Sequence, residues 1–398
     1  MISYTPLEYL KIDIANHYGL DKEQFKTRIQ WVNDNIHCLE SLESEADNKY
    51  RFAGAVMALR VVQAGKPTGY LVGLDAASSG PQIMACLMRD AIGAENTCLV
   101  GSKRNCVYTK ITEAMNHILN AHKTYDRDTI KYVLMPFYYG SKKKPKTVFG
   151  EDTDELHAFY QAQAQIVPGA SELMPILLNS WNAMAEEHSW VLPDGFNARV
   201  KVTQTKEKKI EVDELNHSSF MYQYTVIAGE EDGWANIANP IQSVEGYLVR
   251  ELSRRCNHDK VQLSRVTSLL RRRLNMTHVG SPMGQWDSQH IMSIVGYETM
   301  GWDEVGSMTH SHAKELLRLV ERCLSRPSFP VISVHDEFMC HPNYMNYIRL
   351  TYMEIMAELS DSTLIDSILT KLYHKPIRVK KMADSISDLI LQGEYAIS

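Results

Sequence analysis

Residues 70–90 of the chain read YLVGLDAASSGPQIMACLMRD, and residues 330–340 read PVISVHDEFMC. In each stretch, an apolar run of the kind that forms a β-strand is followed by an aspartate, Asp75 in the first and Asp336 in the second. Small residues follow Asp75 and predict a turn, with a helix beginning near Pro81. If the two strand ends meet in one sheet, the two carboxylates lie side by side.

Between the two aspartates, side chains suited to holding a nucleotide recur at every fourth position: Arg127, Lys131, Met135 and Tyr139, followed by Gly140. A helix turns about 100° per residue, so a step of four residues drifts by only about 40° and the four side chains share one broad face. Pro136 lacks an N–H group and predicts a bend in this helix. The same spacing also occurs on ordinary solvent-exposed helix faces, and Tyr139 would then be only the residue at the end of the helix.

Two carboxylates with cations nearby are the groups that phosphoryl transfer to a nucleotide requires. Mg²⁺ prefers oxygen ligands and usually binds through one or two carboxylates plus substrate phosphates. Two such ions can activate a hydroxyl group and stabilise a departing pyrophosphate. Asp75 and Asp336 are therefore the candidate ligands of two Mg²⁺ ions. Either aspartate alone would be an ordinary exposed residue at a strand end, and only their combined contexts predict the metal site.

Length and composition limit the class of protein. The chain has 398 residues, which predicts two or three domains, and its 44% hydrophobic content is enough for real cores. The first residues lack the basic and apolar regions of a signal peptide, and no apolar run approaches the roughly 20 residues of a membrane span. The seven cysteines have no paired spacing, so we expect free thiols in a reducing cytoplasm.

The net charge of −6 is unusual for an enzyme that binds nucleic acid. Local clusters of lysine and arginine matter more for phosphate binding than net charge does. Four such clusters occur, at residues 142–146, 206–209, 271–273 and 378–381. A charge cluster is usually a solvated face, and only residues 142–146 directly follow a motif.

Apolar spacing of three to four residues predicts helices over residues 5–45 with a break at Gly19, 105–140, 151–190, 244–256 and 311–326. Residues 239–242 are expected to open the helix that continues over 244–256. Alternating patterns predict a small sheet within residues 191–230 and a hairpin with His335–Glu337 at its turn. Residues 257–310, rich in Gly, Met and His, predict irregular structure.

A phosphohydrolase metal site is the competing interpretation of the histidines. His310, His312 and His335 could in principle hold a metal ion. Positions two residues apart rarely converge on one ion, which makes this interpretation weaker than the carboxylate pair. A serine or cysteine nucleophile has no support, because no G-x-S-x-G motif occurs.

Three segments resemble motifs of the single-subunit RNA polymerases of T-odd phages and mitochondria, relatives of the family A DNA polymerases. Residues 75–82 resemble the motif D-G-S-x-S-G-x-Q, residues 127–140 resemble R-x3-K-x3-M-x3-Y-G, and His335–Glu337 resembles the third motif. Further segments resemble the region before the first motif (residues 11–22), the region before the last palm helix (residues 239–242) and the terminal foot (residues 394–398). The resemblance covers nearly the whole chain in order.

The resemblance implies a role for each motif residue. Asp75 and Asp336 would hold two Mg²⁺ ions, with the Ala76 carbonyl as a further ligand. The incoming nucleotide would be bound by Arg127, Lys131, Lys11, Met135, Tyr139, Gly140 and His335. Within that set, Arg127, Lys131 and Lys11 would hold the triphosphate. Tyr139 would check the ribose hydroxyl, Gly140 would let the template base approach, and His335 would abut the primer end. Lys131 and Tyr139 would count among the catalytic residues.

The resemblance also implies the fold class. It is a helix-rich α/β (α+β) right-hand polymerase with palm and fingers, a small antiparallel palm sheet and no thumb. Residues 1–104 would form the first part of the palm, residues 105–239 the fingers, and residues 240–398 the second part of the palm. An insertion would occupy residues 257–310.

The implied activity is DNA-directed RNA synthesis, with a DNA template, rNTPs and an RNA product. The small residues Ser78–Gly80 stand where DNA polymerases carry a bulky glutamate that excludes ribose, which favours RNA. A separate polypeptide would supply the thumb and a D/T-x-x-G-R motif, as in the heterodimeric RNA polymerase of N-four-like bacteriophages, whose larger subunit this chain resembles. The resemblance also implies a further partner, either a promoter-recruiting or a single-strand-binding factor. It implies that the protein acts in the cytoplasm of an infected bacterium. A family A-like DNA polymerase, an inactive nucleic-acid-binding scaffold and a truncated gene product remain the alternatives.

Overall fold

The structure is a computed structural model that describes residues 1–120, 123–141, 143–227, 233–277, 280 and 289–398. The first part of the chain forms α1 (Pro6–Ala15), α2 (Phe25–Asp34), α3 (Lys49–Gln63), β1 (Val72–Asp75), α4 (Ser79–Met88) and α5 (Ala91–Asn96). Thr5 and Glu8 form a capping box at the start of α1, which satisfies free N–H groups of the first turn. The expected break lies at Gly19, whose φ of 121° few other residues adopt.

The middle of the chain holds five helices followed by two hairpins, within the residues described. The helices are α6 (Val107–Ile118), α7 (Arg127–Tyr138), α8 (Lys143–Phe149), α9 (Asp154–Ile166) and α10 (Pro168–Leu178). The hairpins pair β2 (Glu187–Val191) with β3 (Asn197–Lys201), and β4 (Gln204–Val212) with β5 (Ser218–Val226). The sheet expected within residues 191–230 is therefore two separate two-stranded ribbons, and the first begins four residues earlier.

The last part contains α11 (Ala235–Cys256), α12 (Lys260–Leu274), α13 (Trp302–Ser307), α14 (His310–Leu324), β6 (Ile332–Val334), β7 (Glu337–Cys340), α15 (Met345–Asp361), α16 (Leu364–Tyr373) and α17 (Ser387–Leu391). Helix α11 begins at Ala235, four residues before the segment 239–242 that was expected to open it. Pro240 lies inside its second turn, where the missing N–H group removes one hydrogen bond to the carbonyl four residues earlier.

A three-stranded antiparallel sheet, in the order β1-β7-β6, joins the two aspartate segments. Asp75 lies opposite Glu337, and Val334 also lies opposite Glu337 in the β6–β7 hairpin. His335 and Asp336 therefore form a tight two-residue turn, and His335 takes the left-handed conformation with a φ of 55°. The prediction that both strand ends meet in one small antiparallel sheet is confirmed.

The segment after β1 is fixed from behind by residues 394–398. Ala76 forms an antiparallel bridge with Ile397, and the Ala77 N–H donates to the Ala396 carbonyl at 3.1 Å. Tyr395 stacks on Phe25 with ring centroids 4.7 Å apart. These contacts fix the position of the turn that follows Asp75.

Helix α4 is the centre of the main core. All ten of its residues are buried, and it packs against α10, α11 and α15. Its Gln82 side chain is fully buried and donates to the carbonyls of Thr97 and Ala396, while it accepts from the Tyr352 hydroxyl. Such a satisfied buried amide fixes one arrangement of α4 against the foot.

The expectation of irregular structure over residues 257–310 is wrong for much of this range. Helix α12 begins with Asp259 as its N-cap, and α12, α13 and α14 share a separate apolar cluster built around Leu263, Leu316 and Val320. The three consecutive arginines of α12 contribute to this unit. Arg273 is buried and donates to the Met308 carbonyl, Arg272 lies over the Trp302 ring, and Arg271 pairs with Glu321. Residues 278–279 and 281–288 of this range lie outside the described part.

None of the described helices has the length and apolar composition that crossing a membrane demands. All seven cysteines fall within the described residues and are free.

Candidate active site

A cavity of about 540 Å³ opens where the end of β1, the β6–β7 turn, α7 and α11 meet. It brings together eight of the ten residues predicted from the sequence: Asp75, Ala76, Arg127, Lys131, Met135, Tyr139, His335 and Asp336. The side chains that recur every four residues along α7, which we call the four-residue stripe (Arg127, Lys131, Met135 and Tyr139), therefore face the two aspartates. Pro136 does not disturb this face, because it lies in the last turn of α7 and the helix ends at Tyr138.

Asp75 and Asp336 lie side by side at the floor of the cavity. The Ala76 N–H donates to the Asp336 carbonyl at 3.2 Å, which ties the two segments together. Asp75 is exposed at the end of β1, yet desolvation by the surrounding protein raises the pKa of its carboxyl to about 7, with further contributions from the nearby Asp336 and Glu337 carboxylates. Two carboxylates this close favour a shared proton or a bound cation.

The residues at this floor fit Mg²⁺. Neither aspartate forms a salt bridge with a lysine or arginine within the described residues, so oxygen donors face the cavity without a protein counter-ion. The Ala76 carbonyl accepts one hydrogen bond from the Ser78 N–H at 2.9 Å, which leaves its second lone pair available. Hard oxygen donors of this kind are the ligands that Mg²⁺ prefers.

A third carboxylate, that of Glu337, lies directly opposite Asp75 on β7 and has its own counter-ion. Arg51 binds it at 2.7 Å. Gly73 makes room for it, since a Cβ atom on Gly73 would lie 2.6 Å from the Glu337 Oε1 atom. The positive charge of Arg51 offsets the negative charge of Glu337, which reduces the repulsion of Glu337 on Asp75 and Asp336.

The opposite wall of the cavity is cationic. Arg127 contacts the Cys106 thiol at 3.6 Å and lies 5.9 Å from the centre of the Tyr108 ring. Burial raises the pKa of the Cys106 thiol, but hydrogen bonds from Thr109 and Arg127 outweigh burial and lower it overall. Arg127 and Lys131 thus present two positive charges, one helical turn apart, to the aspartate floor.

Two predicted residues lie outside this cavity. The Lys11 ammonium donates to the Asn33 side chain at 2.6 Å and does not line the cavity, so its expected contact with the triphosphate has no geometric support. Gly140 faces the start of α11, and a Cβ atom there would lie 3.0 Å from the Trp234 carbonyl. With a φ of 98°, Gly140 is required for this close approach, and its template role stays a prediction. His310 and His312 do not line the cavity either.

The cavity is also lined by polar side chains that the sequence patterns did not predict. They are Asp21, Lys22, Arg104, Tyr108, Gln242 and Glu245. Lys22 lies only eleven residues after Lys11, in the segment already singled out, but no periodic pattern marks it. Gln242 and Glu245 are one helical turn apart on α11, which could have suggested a shared face.

Another acidic group lies elsewhere in the described residues. Ligand atoms of Glu211, Asp213 and His217 come within 4.8 Å of one another at the exposed end of the β4–β5 ribbon. These side chains do not line the cavity, and exposed carboxylates of this kind are common on protein surfaces.

Part of the chain is similar in sequence to known RNA polymerases. Residues 2–141 match the sequence model of a family described as DNA-dependent RNA polymerase. The chain is 27% identical over 162 residues to a probable DNA-directed RNA polymerase of Neurospora crassa. This alignment covers 35% of this chain and 18% of that protein. It is also 27% identical over 131 residues to a DNA-directed RNA polymerase of Pseudomonas phage phiKMV, covering 28% of this chain and 16% of that protein. The match thus spans less than one fifth of either relative.

The raised pKa of Asp75 has a measurable consequence for stability. Because the pKa of Asp75 rises from 3.8 to about 7 on folding, ionising this group costs folding free energy in full above pH 7 and nothing below about pH 4. Solvent in the open cavity reduces this cost. We expect Asp75→Asn to be more stable than the native chain by about 1 kcal/mol at pH 8 in EDTA, and equally stable near pH 4.

Urea unfolding at the two pH values measures this difference. The control is Asp128→Asn, which removes an exposed carboxylate from α7 outside the pair. An Asp75→Asn variant no more stable than the native chain at pH 8 would contradict the raised pKa of Asp75 in the folded state.

Proposed function

We propose that this chain carries the catalytic site of a DNA-directed RNA polymerase, which joins an rNTP to an RNA 3′-hydroxyl on a DNA template and releases pyrophosphate. One observation carries the proposal. Asp336 lies far outside the region that matches the polymerase family, yet it meets Asp75, which lies inside that region. Two Mg²⁺ ions would be held by Asp75 and Asp336, with the Ala76 carbonyl as a further ligand.

In this proposal the chain's own residues act mainly by positioning. When bound, the ions would activate the hydroxyl and stabilise the leaving group. Arg127 and Lys131 would bind the triphosphate from the opposite wall, and Lys22 and Arg104 add positive charge at the same cavity. The cationic wall would hold the phosphates in line with the attacking group, which is where most of the rate in phosphoryl transfer arises.

The shape of the cavity near Tyr139 supports ribonucleotides as substrates. A Cβ atom on Gly80 would lie 3.4 Å from the Tyr139 hydroxyl, so a larger side chain at position 80 would fill the space beside this hydroxyl. With glycine there, a ribose 2′-hydroxyl can reach Tyr139. A family A-like DNA polymerase, the second candidate, would need a bulky group at this point, and an inactive scaffold would need no paired carboxylates.

The β4–β5 ribbon offers a surface for a nucleic-acid strand. One face carries the cross-strand pairs Lys206–Tyr224, Lys208–Tyr222 and Ile210–Phe220. The rings of Tyr222 and Tyr224 stack 5.9 Å apart, and Phe220 and Tyr222 are about half exposed. Exposed aromatic rings beside lysines bind single strands through base stacking and phosphate contacts.

Within this proposal, residues 1–104 and 240–398 form the palm and residues 105–239 the fingers. The proposed α/β architecture is a right hand in which residues 394–398 support the site. A second polypeptide with the thumb, a promoter-recruiting or single-strand-binding factor, and action within a bacterial host stay predictions from sequence resemblance.

Removing either proposed metal ligand should abolish synthesis. We expect Asp75→Asn and Asp336→Asn to lower the rate of RNA primer extension by at least about a thousandfold, because each loses a carboxylate that no neighbour replaces. The assay uses a labelled RNA primer, a DNA template, Mg²⁺ and rNTPs, and Asp34→Asn on the exposed face of α2 is the control. Near-native rates in either site variant would refute the metal assignment.

Tyr139→Phe tests the ribose contact. Loss of the hydroxyl should reduce the preference for rNTPs over dNTPs by roughly tenfold, the size of one hydrogen bond, with little change in dNTP incorporation. Competition between the two nucleotides in primer extension measures this preference. An unchanged preference would remove Tyr139 from sugar selection.

Tyr222→Ala tests the ribbon. We expect this variant to bind a labelled single-stranded oligonucleotide roughly tenfold more weakly, because one stacking platform is lost. Gln223→Ala, on the opposite face of the same strand, is the matched control and should bind like the native chain. Fluorescence anisotropy at fixed salt makes the measurement, and equal effects of both substitutions would contradict the assignment of this face.

A further inference from the structure

Helix α12 carries a concentration of positive charge that the proposed active site does not use. Along Lys260–Leu274, all of which the structure describes, five residues are lysine or arginine and none is acidic. Arg273 is buried in the unit formed by α12, α13 and α14. The other four are exposed and lie outside the cavity: Lys260, Arg265, Arg271 and Arg272. The chain as a whole has a net charge of −6, so this helix differs in charge from the average of the chain.

The four exposed cations form two rows along α12. A helix turns about 100° per residue, so Lys260 and Arg271 lie about three turns apart on one line. Arg265 and Arg272 lie about two turns apart on a second line, roughly 120° around the helix from the first. The exposed surface between the rows carries only neutral side chains, which are Val261, Ser264, Ser268 and Asn275. Helix α12 thus presents a neutral ridge with positive charge on both flanks.

Neighbouring groups orient two of the arginines without using all of their donors. Arg271 pairs with Glu321 at 2.8 Å, and its side chain is still 65% exposed. Arg265 donates to the Glu298 carbonyl at 3.0 Å. A guanidinium group has five N–H donors in a fixed plane, so both side chains keep donors for a ligand. The nearest acidic residue before the helix, Asp259, is engaged as the N-cap.

This arrangement fits a nucleic-acid backbone better than a protein surface. Protein interfaces have an apolar core with aromatic anchors, whereas Val261 is the one large apolar side chain that is strongly exposed along α12. Three of the four exposed cations are arginines, which bind phosphate through two parallel N–H groups. A single strand would follow one row, but two rows on opposite flanks match the two strands that border a groove.

The dimensions of α12 match the major groove of duplex DNA. A helix with its side chains is about 10–12 Å across, and the major groove is about 12 Å wide. The row from Lys260 to Arg271 spans about 16 Å, and each strand carries one phosphate per roughly 3.4 Å of duplex. Each row can therefore contact several phosphates of its own strand while the neutral ridge faces the base edges.

We propose that α12 binds the major groove of double-stranded DNA, with one row of cations on the phosphates of each strand. This role goes beyond the proposed catalytic site, because α12, α13 and α14 have an apolar cluster of their own, separate from the main core. Phosphate contacts position a protein but carry no sequence information. The small neutral side chains of the ridge offer little base readout, so the binding is independent of sequence.

Duplex binding over a range of salt concentrations tests this face without any catalysis. Lys260→Gln combined with Arg265→Gln removes one cation from each row, and neither side chain forms a salt bridge within the described residues. We expect the slope of the logarithm of the binding constant against the logarithm of the salt concentration to fall in magnitude by about two. Affinity near physiological salt should fall roughly tenfold. Fluorescence anisotropy with the full chain and a labelled duplex of mixed sequence makes the measurement.

The matched control changes the net charge equally at other exposed positions. Lys66→Gln combined with Lys371→Gln removes two exposed lysines, one after α3 and one on α16, and should bind duplex DNA like the native chain. Arg265→Gln alone should lower the salt slope by about one. Unfolding curves verify that each variant folds.

Glu321→Gln distinguishes a binding face from one that serves only the fold. The substitution removes the carboxylate that pairs with Arg271 and so frees a cation for phosphate. We expect duplex binding to tighten roughly threefold, because the local field becomes more positive. Unchanged or weaker binding in this variant would overturn the inference.

Further results would also overturn it. A native salt slope in the variant with Lys260→Gln and Arg265→Gln would leave this face to an acidic protein partner. An equal loss in the lysine control would reduce the effect to net charge. A loss of single-stranded DNA binding as large as the loss of duplex binding would exclude the groove. A native chain that binds duplex through α12 but extends no primer would refute the proposed function and uphold this inference.

Discussion

The antiparallel pairing of β1 with β7 is the contact on which the site depends. It alone brings Asp75 beside the turn that carries Asp336, across more than 250 residues of chain. A one-residue slip in this register would turn the Asp75 side chain to the opposite face of the sheet. The pairing is fixed at its outer edge by the buried Asp13 carboxylate, which accepts from the Gly73 N–H at 3.0 Å and the Tyr70 hydroxyl at 2.8 Å. Behind the sheet, Ile397 bridges Ala76 and prevents the turn from moving.

The same pairing brings three carboxylates together, and the rest of the fold must hold them in place against their mutual repulsion. It places Asp75 next to both Asp336 and Glu337, and only Glu337 has a counter-ion within the described residues, in Arg51. Sites that concentrate like charge weaken the folded state and are typical of function rather than stability. The buried α4 and the contacts of residues 394–398 supply the rigidity that holds the two carboxylates together. The cationic face of α7 lies across the cavity, where it can attract an anionic substrate without neutralising the floor.

Local patterns in the sequence predicted the parts of the site that belong to single elements. The strand before Asp75, the turn at Asp336 and the four-residue stripe of α7 each depend on a few consecutive turns of chain, and the structure has all three. Lys22 and Glu245 were not predicted as site residues because no spacing pattern marks either side chain, and only tertiary packing brings them to the cavity. Lys11 was predicted to bind the triphosphate, but its ammonium group contacts Asn33 and does not line the cavity. The helix α12 was missed although Leu263, Val266 and Leu270 have helical spacing, because the Gly, Met and His content of residues 257–310 indicated irregular structure.

The shared metal site of Asp75 and Asp336 is the central claim, and cleavage by Fe²⁺ tests it most directly. Fe²⁺ replaces Mg²⁺ at oxygen sites, and in the presence of ascorbate and peroxide it cuts the nearby backbone. The account predicts cuts close to Asp75 and close to Asp336 in the same sample, competed by Mg²⁺ and both lost in Asp75→Asn. Cuts confined to the acidic group at Glu211, Asp213 and His217, or at only one of the two aspartates, would contradict it.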